Sequence, residues 1–248
     1  MKLNKAIIFS AGFGKRLTPL TRKTPKPLLK LNNKTLLQNC IIFLENCGIQ
    51  EIIINVHYLA EQIIEFLNKN KFKSKIYISH ERDEILGTGG ALNYANKKFK
   101  TFFKNSFVTI NPDTLWTKKH VEEFKIMKKF HQRDEMVKSI LLLVSKKNCF
   151  EKNLKGDFSL DYKKGTNINN ILKKTNLNNY IYTGLQILRT SDQIKHLINN
   201  KKNIYPINHY WNKLIESKCI YGYSSNQKFY HVSNFKTYKK LLNLFPNE

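Results

Sequence analysis

Arginine, acidic side chains, paired cysteines and long apolar runs are all scarce in this chain, and each shortage closes off a class of function. No apolar stretch is long enough to cross a bilayer; the longest, such as Ile140 to Val144, have the length of buried strands. The apolar run at the N-terminus, Ala6 to Phe9, is too short for a signal-peptide core, so a cytosolic, non-membrane protein is expected. Cys40, Cys47, Cys149 and Cys219 form no CxxC pair, which argues against zinc and for buried, reduced thiols. Only 18 acidic residues face 43 basic ones, a formal net charge of +25. That excess invites a nucleic-acid reading. Yet Arg16, Arg22, Arg82, Arg133 and Arg189 are the only arginines, and the lysines are spread along the whole chain among Asn and Ile. No compact basic block interleaves with aromatics, so nucleic acid is not the expected partner. A diffuse positive surface still attracts small anionic substrates.

What is present is a regular alternation. The 248 residues suit one domain with a sizeable core. Apolar, β-branched runs at 5–9, 51–56, 76–79, 107–110 and 139–144 read as strands. Amphipathic stretches at 36–47, 60–67 and 118–130 read as helices, with Thr35 as an N-cap and Gly48 as a stop; a further helix starts over 90–95. Continuous apolar strands alternating with helices predict an α/β fold with a mainly parallel sheet covered on both faces. The second half is less regular. Loops with a short strand near Phe158 are expected over 146–179, then strands at 182–188, 220–223 and 229–232, and helices at 191–199, 210–217 and 235–244. The whole chain, 1–248, reads as one domain: an alternating core to about residue 145, then substrate-binding elaborations and closing elements.

The first strand runs into Ser10-Ala11-Gly12-Phe13-Gly14-Lys15-Arg16-Leu17-Thr18-Pro19. Small residues after a strand let backbone N–H groups approach phosphate closely. A P-loop would need GxxxxGK[ST], which is missing; a dinucleotide fingerprint would need a third glycine where Leu17 stands. A bare GxG is also what an ordinary tight turn carries. Further on, Pro25 and Pro27 bracket Lys26 and stiffen its backbone, which suits a lysine aimed at a phosphoryl group.

GFGKRLTPLT followed by TPKP resembles the signature of nucleotide-sugar pyrophosphorylases. NVHYLAEQI, ERDEILGTGGAL, NPDTLW, GDFSLD, YIYTGLQIL and FYHV are similar to segments of N-acetylmuramate α-1-phosphate uridylyltransferases, so the resemblance extends over nearly the whole chain. It implies a Rossmann-like fold and a Mg²⁺-dependent transfer between a nucleoside triphosphate and a sugar 1-phosphate, by a monomer or homodimer. It puts the nucleotide over Ser10, Ala11, Gly12, Phe13 and Gly14, with Gly87 and Gly89 on the base. Arg16 holds pyrophosphate, and Lys26 sits between the α-phosphate and the attacking sugar phosphate. Gly90, Asp157, Thr183 and Gly184 match sugar-contacting positions, although Asp157 equally suits a turn.

Asp113 follows a strand, at the sheet edge where such sites lie, and a hard carboxylate suits Mg²⁺; capping a turn is its other reading. His231 stands where many relatives place a second metal-binding aspartate. Neutral imidazole is a poor Mg²⁺ ligand, so His231 binds through water, orients a phosphate or simply packs. Pro112 for Gly or Ser, Ser233-Asn234 for Gly-Thr, and Gly87 for an acidic residue are further departures. UTP with N-acetylmuramate 1-phosphate is the expected pair. A mannose- or heptose-1-phosphate guanylyltransferase, and a nucleotide-binding protein without catalysis, are the alternatives.

Overall fold

Strand β1 (Lys5–Phe9) shows why the chain layers as it does. Ala6 and Ile8 point into one apolar cluster and Ile7 into another, all fully buried. On its neighbour β4 (Glu51–Val56), Ile52 and Ile54 join the first cluster and Ile53 the second. Successive side chains on a strand face opposite sides, so a run that is apolar on both sides requires cover on both faces. The computed structural model, which describes residues 3–163, 165–172, 178–190 and 204–247, supplies that cover with helices.

Helices α1 (Leu36–Asn46), α2 (Ala60–Lys69) and α4 (Lys118–Arg133) bury Leu37, Ile63 and Phe124 against the first face. Helices α3 (Gly87–Lys98) and α5 (Asn208–Glu216) bury Leu92, Trp211 and Leu214 against the second. Thr35 caps α1 as its sequence suggests, its hydroxyl accepting from Gln38 N at 3.0 Å. Helix α6 (Phe235–Leu244) closes the chain over a smaller cluster with Leu17, Leu31 and Leu36.

The other strands are β2 (Lys30–Leu31), β3 (Lys34–Thr35), β5 (Lys75–His80), β6 (Phe107–Ile110), β7 (Ser139–Ser145), β8 (Ser159–Leu160), β9 (Ile168–Leu172), β10 (Tyr180–Leu188) and β11 (Ile220–Ser225). β2 and β3 form a small ladder of their own, and the rest form one nine-stranded sheet in the order β5-β4-β1-β6-β10-β7-β11-β9-β8. β5, β4, β1 and β6 pair in parallel; β10 and β9 run against the other strands. The sheet is therefore mostly parallel, as expected, with antiparallel insertions beyond β6.

Three expectations need correction. The segment 229–232 is not a strand: it makes single bridges, Phe229 to Cys149 and His231 to Thr114. Besides the short strand expected near Phe158 (β8), the stretch 146–179 holds β9, whose polar Asn-rich sequence hides its alternation (Asn169 and Ile171 buried, Asn170 outward). Helix α3 begins at Gly87 rather than Gly90, so the glycines form its first turn. The helix expected over 191–199 lies outside the described residues.

Phe124 is fully buried and meets Phe43 edge to face at 6.5 Å. Phe124→Ala is expected to cost about 3–5 kcal/mol, while exposed Ile126→Ala on the same helix changes stability by less than about 0.5 kcal/mol. Urea denaturation of the two variants checks the assignment of faces.

Candidate active site

Four neighbouring parallel strands each deliver one polar residue at their carboxyl ends to the same cavity, of about 390 Å³: Ser10 after β1, Asn55 from β4, Glu81 after β5 and Asn111 after β6. Open α/β sheets bind ligands at this edge. The glycine loop walls the cavity with Ala11, Gly12, Gly14, Lys15 and Arg16; Lys26 and Pro27 follow, Gly87 and Thr88 face them, and Pro112, Asp113 and Ser233 complete the lining.

The loop's shape has a local cause. Gly14 sits at φ +64°, and a Cβ there would come within 2.9 Å of Thr21. Its carbonyl accepts from Leu17 N at 2.8 Å and from the Thr21 hydroxyl at 3.1 Å, curling the loop back so that Arg16 and Lys26 border one space. Phe13 does not join the wall. It packs edge-on against His57 and Tyr58, at 5.9 and 5.3 Å, with the Lys15 ammonium over its ring at 5.3 Å.

Asp113 is the electrostatic centre. Its Oδ2 accepts from Lys26 Nζ at 2.5 Å and from His231 Nε2 at 3.0 Å. Burial pushes this carboxyl up, but the Lys26 ammonium and the His231 ring outweigh burial and hold it well below the usual carboxylate range. No group of three or more His, Cys, Asp or Glu that could hold a metal occurs among the described residues. The donor set is thus one hard carboxylate, which fits a cation that takes its other ligands from water and phosphate.

Some predicted residues are not brought to the cavity wall. Asp157 turns its carboxylate to Tyr182 N at 2.9 Å. The Thr183 hydroxyl donates to the Leu142 carbonyl at 2.8 Å. Gly184 lies against Asn111, whose N–H donates to its carbonyl at 3.0 Å. Gly89 and Gly90 both donate their N–H groups to the Tyr205 carbonyl, at 2.9 and 3.2 Å. Gly89 is small because a Cβ there would lie 2.4 Å from the Tyr205 ring. These two amides are thus held by the chain itself, away from the cavity wall.

Sequence reasoning missed the chain of contacts behind the cavity. Asn55 Oδ1 accepts from Ser10 N at 2.7 Å, and its amide donates to Glu81 Oε1 at 2.7 Å. Glu81 Oε2 accepts from Leu86 N at 3.1 Å. Ser10, Asn55 and Glu81 are all buried. The available signal was a carboxylate right after a strand, six residues before a glycine-rich helix start.

The sheet thus carries a glycine loop, the cationic side chains of Lys15, Arg16 and Lys26 and one carboxylate at its carboxyl edge. Residues 5–150 match the profile of the nucleotidyl transferase family, and the chain belongs to that family. It is 36% identical over 113 residues to a mannose-1-phosphate guanylyltransferase of Arabidopsis thaliana, covering 45% of this chain and 31% of that protein. It is 37% identical over 112 residues to the D-glycero-alpha-D-manno-heptose 1-phosphate guanylyltransferase of Campylobacter jejuni, covering 45% of this chain and 48% of that protein. The matches thus span less than half the length of these curated relatives. The fold matches a UDP-glucose pyrophosphorylase complexed with UDP-glucose, with a TM-score of 0.78, 18% identity and 98% of each chain covered. It also matches HddC from Yersinia pseudotuberculosis, with a TM-score of 0.68, 24% identity, and 98% of this chain and 99% of that one covered.

Glu81 generates a prediction. Burial pushes its carboxyl up, against hydrogen bonds from Asn55 and Leu86 that pull it down. An acid whose pKa is higher in the folded state favours folding most below its unfolded pKa. That contribution is lost as pH rises from the ordinary value of 4.5 through the raised folded value. Glu81→Gln is expected to flatten the pH dependence of unfolding free energy in this window. An unchanged slope places the ionisation elsewhere.

Proposed function

We propose that the chain catalyses transfer of a nucleotidyl group from a nucleoside triphosphate to a sugar 1-phosphate, with release of pyrophosphate. The observation that carries this reading is the convergence of Arg16, Lys26 and Asp113 on one cavity at the sheet's carboxyl edge, in a chain of this family.

In this reading an oxygen of the sugar phosphate attacks the α-phosphorus, the bond to the bridging oxygen of the β-phosphate breaks, and pyrophosphate leaves with that electron pair. Both reactants are polyanions, and charge gathers on the oxygens around the α-phosphorus. Lys26 offers an ammonium there, and Arg16, with its planar fork of donors, suits the departing pyrophosphate. Backbone N–H groups of the loop 11–14 cradle the phosphates, the Ser10 N–H being held by Asn55. Asp113 is the protein's ligand for Mg²⁺, which supplies charge neutralisation on the phosphates when bound.

The motif resemblance supports UTP and N-acetylmuramate 1-phosphate as the substrates. Glu81 favours a guanine nucleotide instead. Each of its two oxygens accepts a hydrogen bond at the cavity edge, from Asn55 and from Leu86, and a carboxylate has about four acceptor sites in all. Guanine offers two adjacent N–H donors to such a group, whereas uracil offers one N–H between two carbonyl oxygens that repel it. The mannose- and heptose-1-phosphate guanylyltransferases among the relatives support the same base.

A panel of four nucleoside triphosphates against several sugar 1-phosphates, read by pyrophosphate release, tests the reaction. Release with GTP supports the guanine reading, release with UTP the uridylyl one. Nucleotide binding without release for any pair supports a non-catalytic nucleotide-binding protein. With the best pair, Lys26→Ala is expected to lower turnover by about 100- to 1,000-fold with folding retained. Asp113→Asn is expected to abolish the response to Mg²⁺. Near-native turnover in Lys26→Ala would refute its role.

A further inference from the structure

The proposed reaction leaves one residue of the central cluster without a task. His231 sits on the segment between β11 and α6, paired to Thr114 by a single bridge. Val232 N donates to the Asp113 carbonyl at 2.9 Å, and Leu115 N to the Tyr230 carbonyl at 2.9 Å. The imidazole stacks on Phe229, with centroids 5.7 Å apart and planes 14° apart. Backbone pairing fixes where the ring stands, and Phe229 fixes its plane.

An ionised carboxylate only accepts hydrogen bonds. His231 Nε2, 3.0 Å from Asp113 Oδ2, therefore carries the proton and donates. A nitrogen that carries a proton has no lone pair for a metal. With Lys26 on the same oxygen, Oδ2 holds two donors, and no other hydrogen bond to this carboxylate occurs among the described residues. Oδ1 is the oxygen left for a cation.

We propose that His231 is a positioning residue for Asp113: it holds Oδ2 so that Oδ1 faces the nucleotide-borne divalent cation, in a one-carboxylate site that forms only with nucleotide present. The proposal rests on the nucleotidyl-transfer reading. Partners that orient a metal ligand typically contribute about 10- to 100-fold to metal affinity. His231 does so here by removing one oxygen from competition and fixing the plane of the other.

Mn²⁺ as the probe, with a non-hydrolysable triphosphate analogue, separates the possibilities. Calorimetry is expected to show weak Mn²⁺ binding to the free protein and much tighter binding with the analogue present. His231→Leu should weaken the second by about 10- to 100-fold, with analogue affinity in metal-free buffer unchanged. His231→Gln, whose amide N–H can replace Nε2–H, should restore most of it. Pulsed electron paramagnetic resonance of native protein should give the same Mn²⁺ spectrum with ¹⁵N-labelled histidine as without. A spectrum that changes with the label makes His231 a direct ligand and overturns the proposal. So does native Mn²⁺ affinity in His231→Leu, or tight Mn²⁺ binding to the free protein. If native protein binds no triphosphate analogue, with or without metal, the transferase reading fails first. If leucine prevents folding, the spectrum of the native protein still decides.

Discussion

One carboxylate ties this structure to its chemistry. Asp113 binds Lys26 from the loop after β1 and His231 from the segment before α6, groups 87 and 118 residues away in sequence. The three segments are the glycine-containing loop after β1, the end of β6 and the entry to α6. An ion pair this deep is costly to desolvate, and it persists because two donors satisfy one oxygen. The other ion pairs described are more exposed, such as Lys5 with Glu51, Lys69 with Glu65 and Lys125 with Glu122. Their contribution to stability is small, so Asp113 is where charge shapes the fold.

The scarcity of acids and arginines makes their placement informative. Glu123 is buried and accepts from Ser225 Oγ at 2.9 Å, pinning α4 to the end of β11. Glu151 takes the Ser233 hydroxyl at 2.5 Å and the Asn234 amide at 3.1 Å, holding the turn that presents Ser233 to the cavity. Arg189 is buried and spends its donors on the carbonyls of Val137, His131 and Asp134. A planar, multi-donor group is suited to such cross-linking. Arg16 is the one arginine on the cavity wall, and the lysines supply most of the remaining positive charge.

Much of the architecture was legible because apolar patterning carried it. β1, β4 and β6 fall where their β-branched runs stand, and α6 where its periodicity does. The pattern failed where burial is not apolar. β9 shows INNIL, with Asn169 buried to serve Lys163 N at 2.8 Å, so its alternation cannot be read from hydrophobicity. The segment 229–232 shows FYHV, which looks like a strand, yet it makes only single bridges because its neighbours are loop residues. The sequence says nothing of what constrains the glycines at 87–90, which the resemblance puts on base and sugar. Their actual constraint, the Tyr205 carbonyl and ring, lies more than a hundred residues away.

The site was legible in type and only partly in geometry. Arg16, Lys26 and Asp113 could be named because loop chemistry and resemblance converge on them. Ser10, Asn55 and Glu81 form a connected unit that no local pattern announces, since each comes from the end of a different strand. That dispersal follows from the parallel sheet itself. Adjacent parallel strands end at the same edge, so residues far apart in sequence become neighbours there without any helix or turn motif joining them. Chemistry assembled this way is visible only once the strand order is known. Here the order β5-β4-β1-β6 puts Glu81, Asn55, Ser10 and Asn111 side by side along one cavity, which Lys26 and Asp113 also line. On the proposed reading, a nucleoside triphosphate in that cavity meets an ammonium suited to its anionic tail and a buried carboxylate suited to its hydrogen-bonding base.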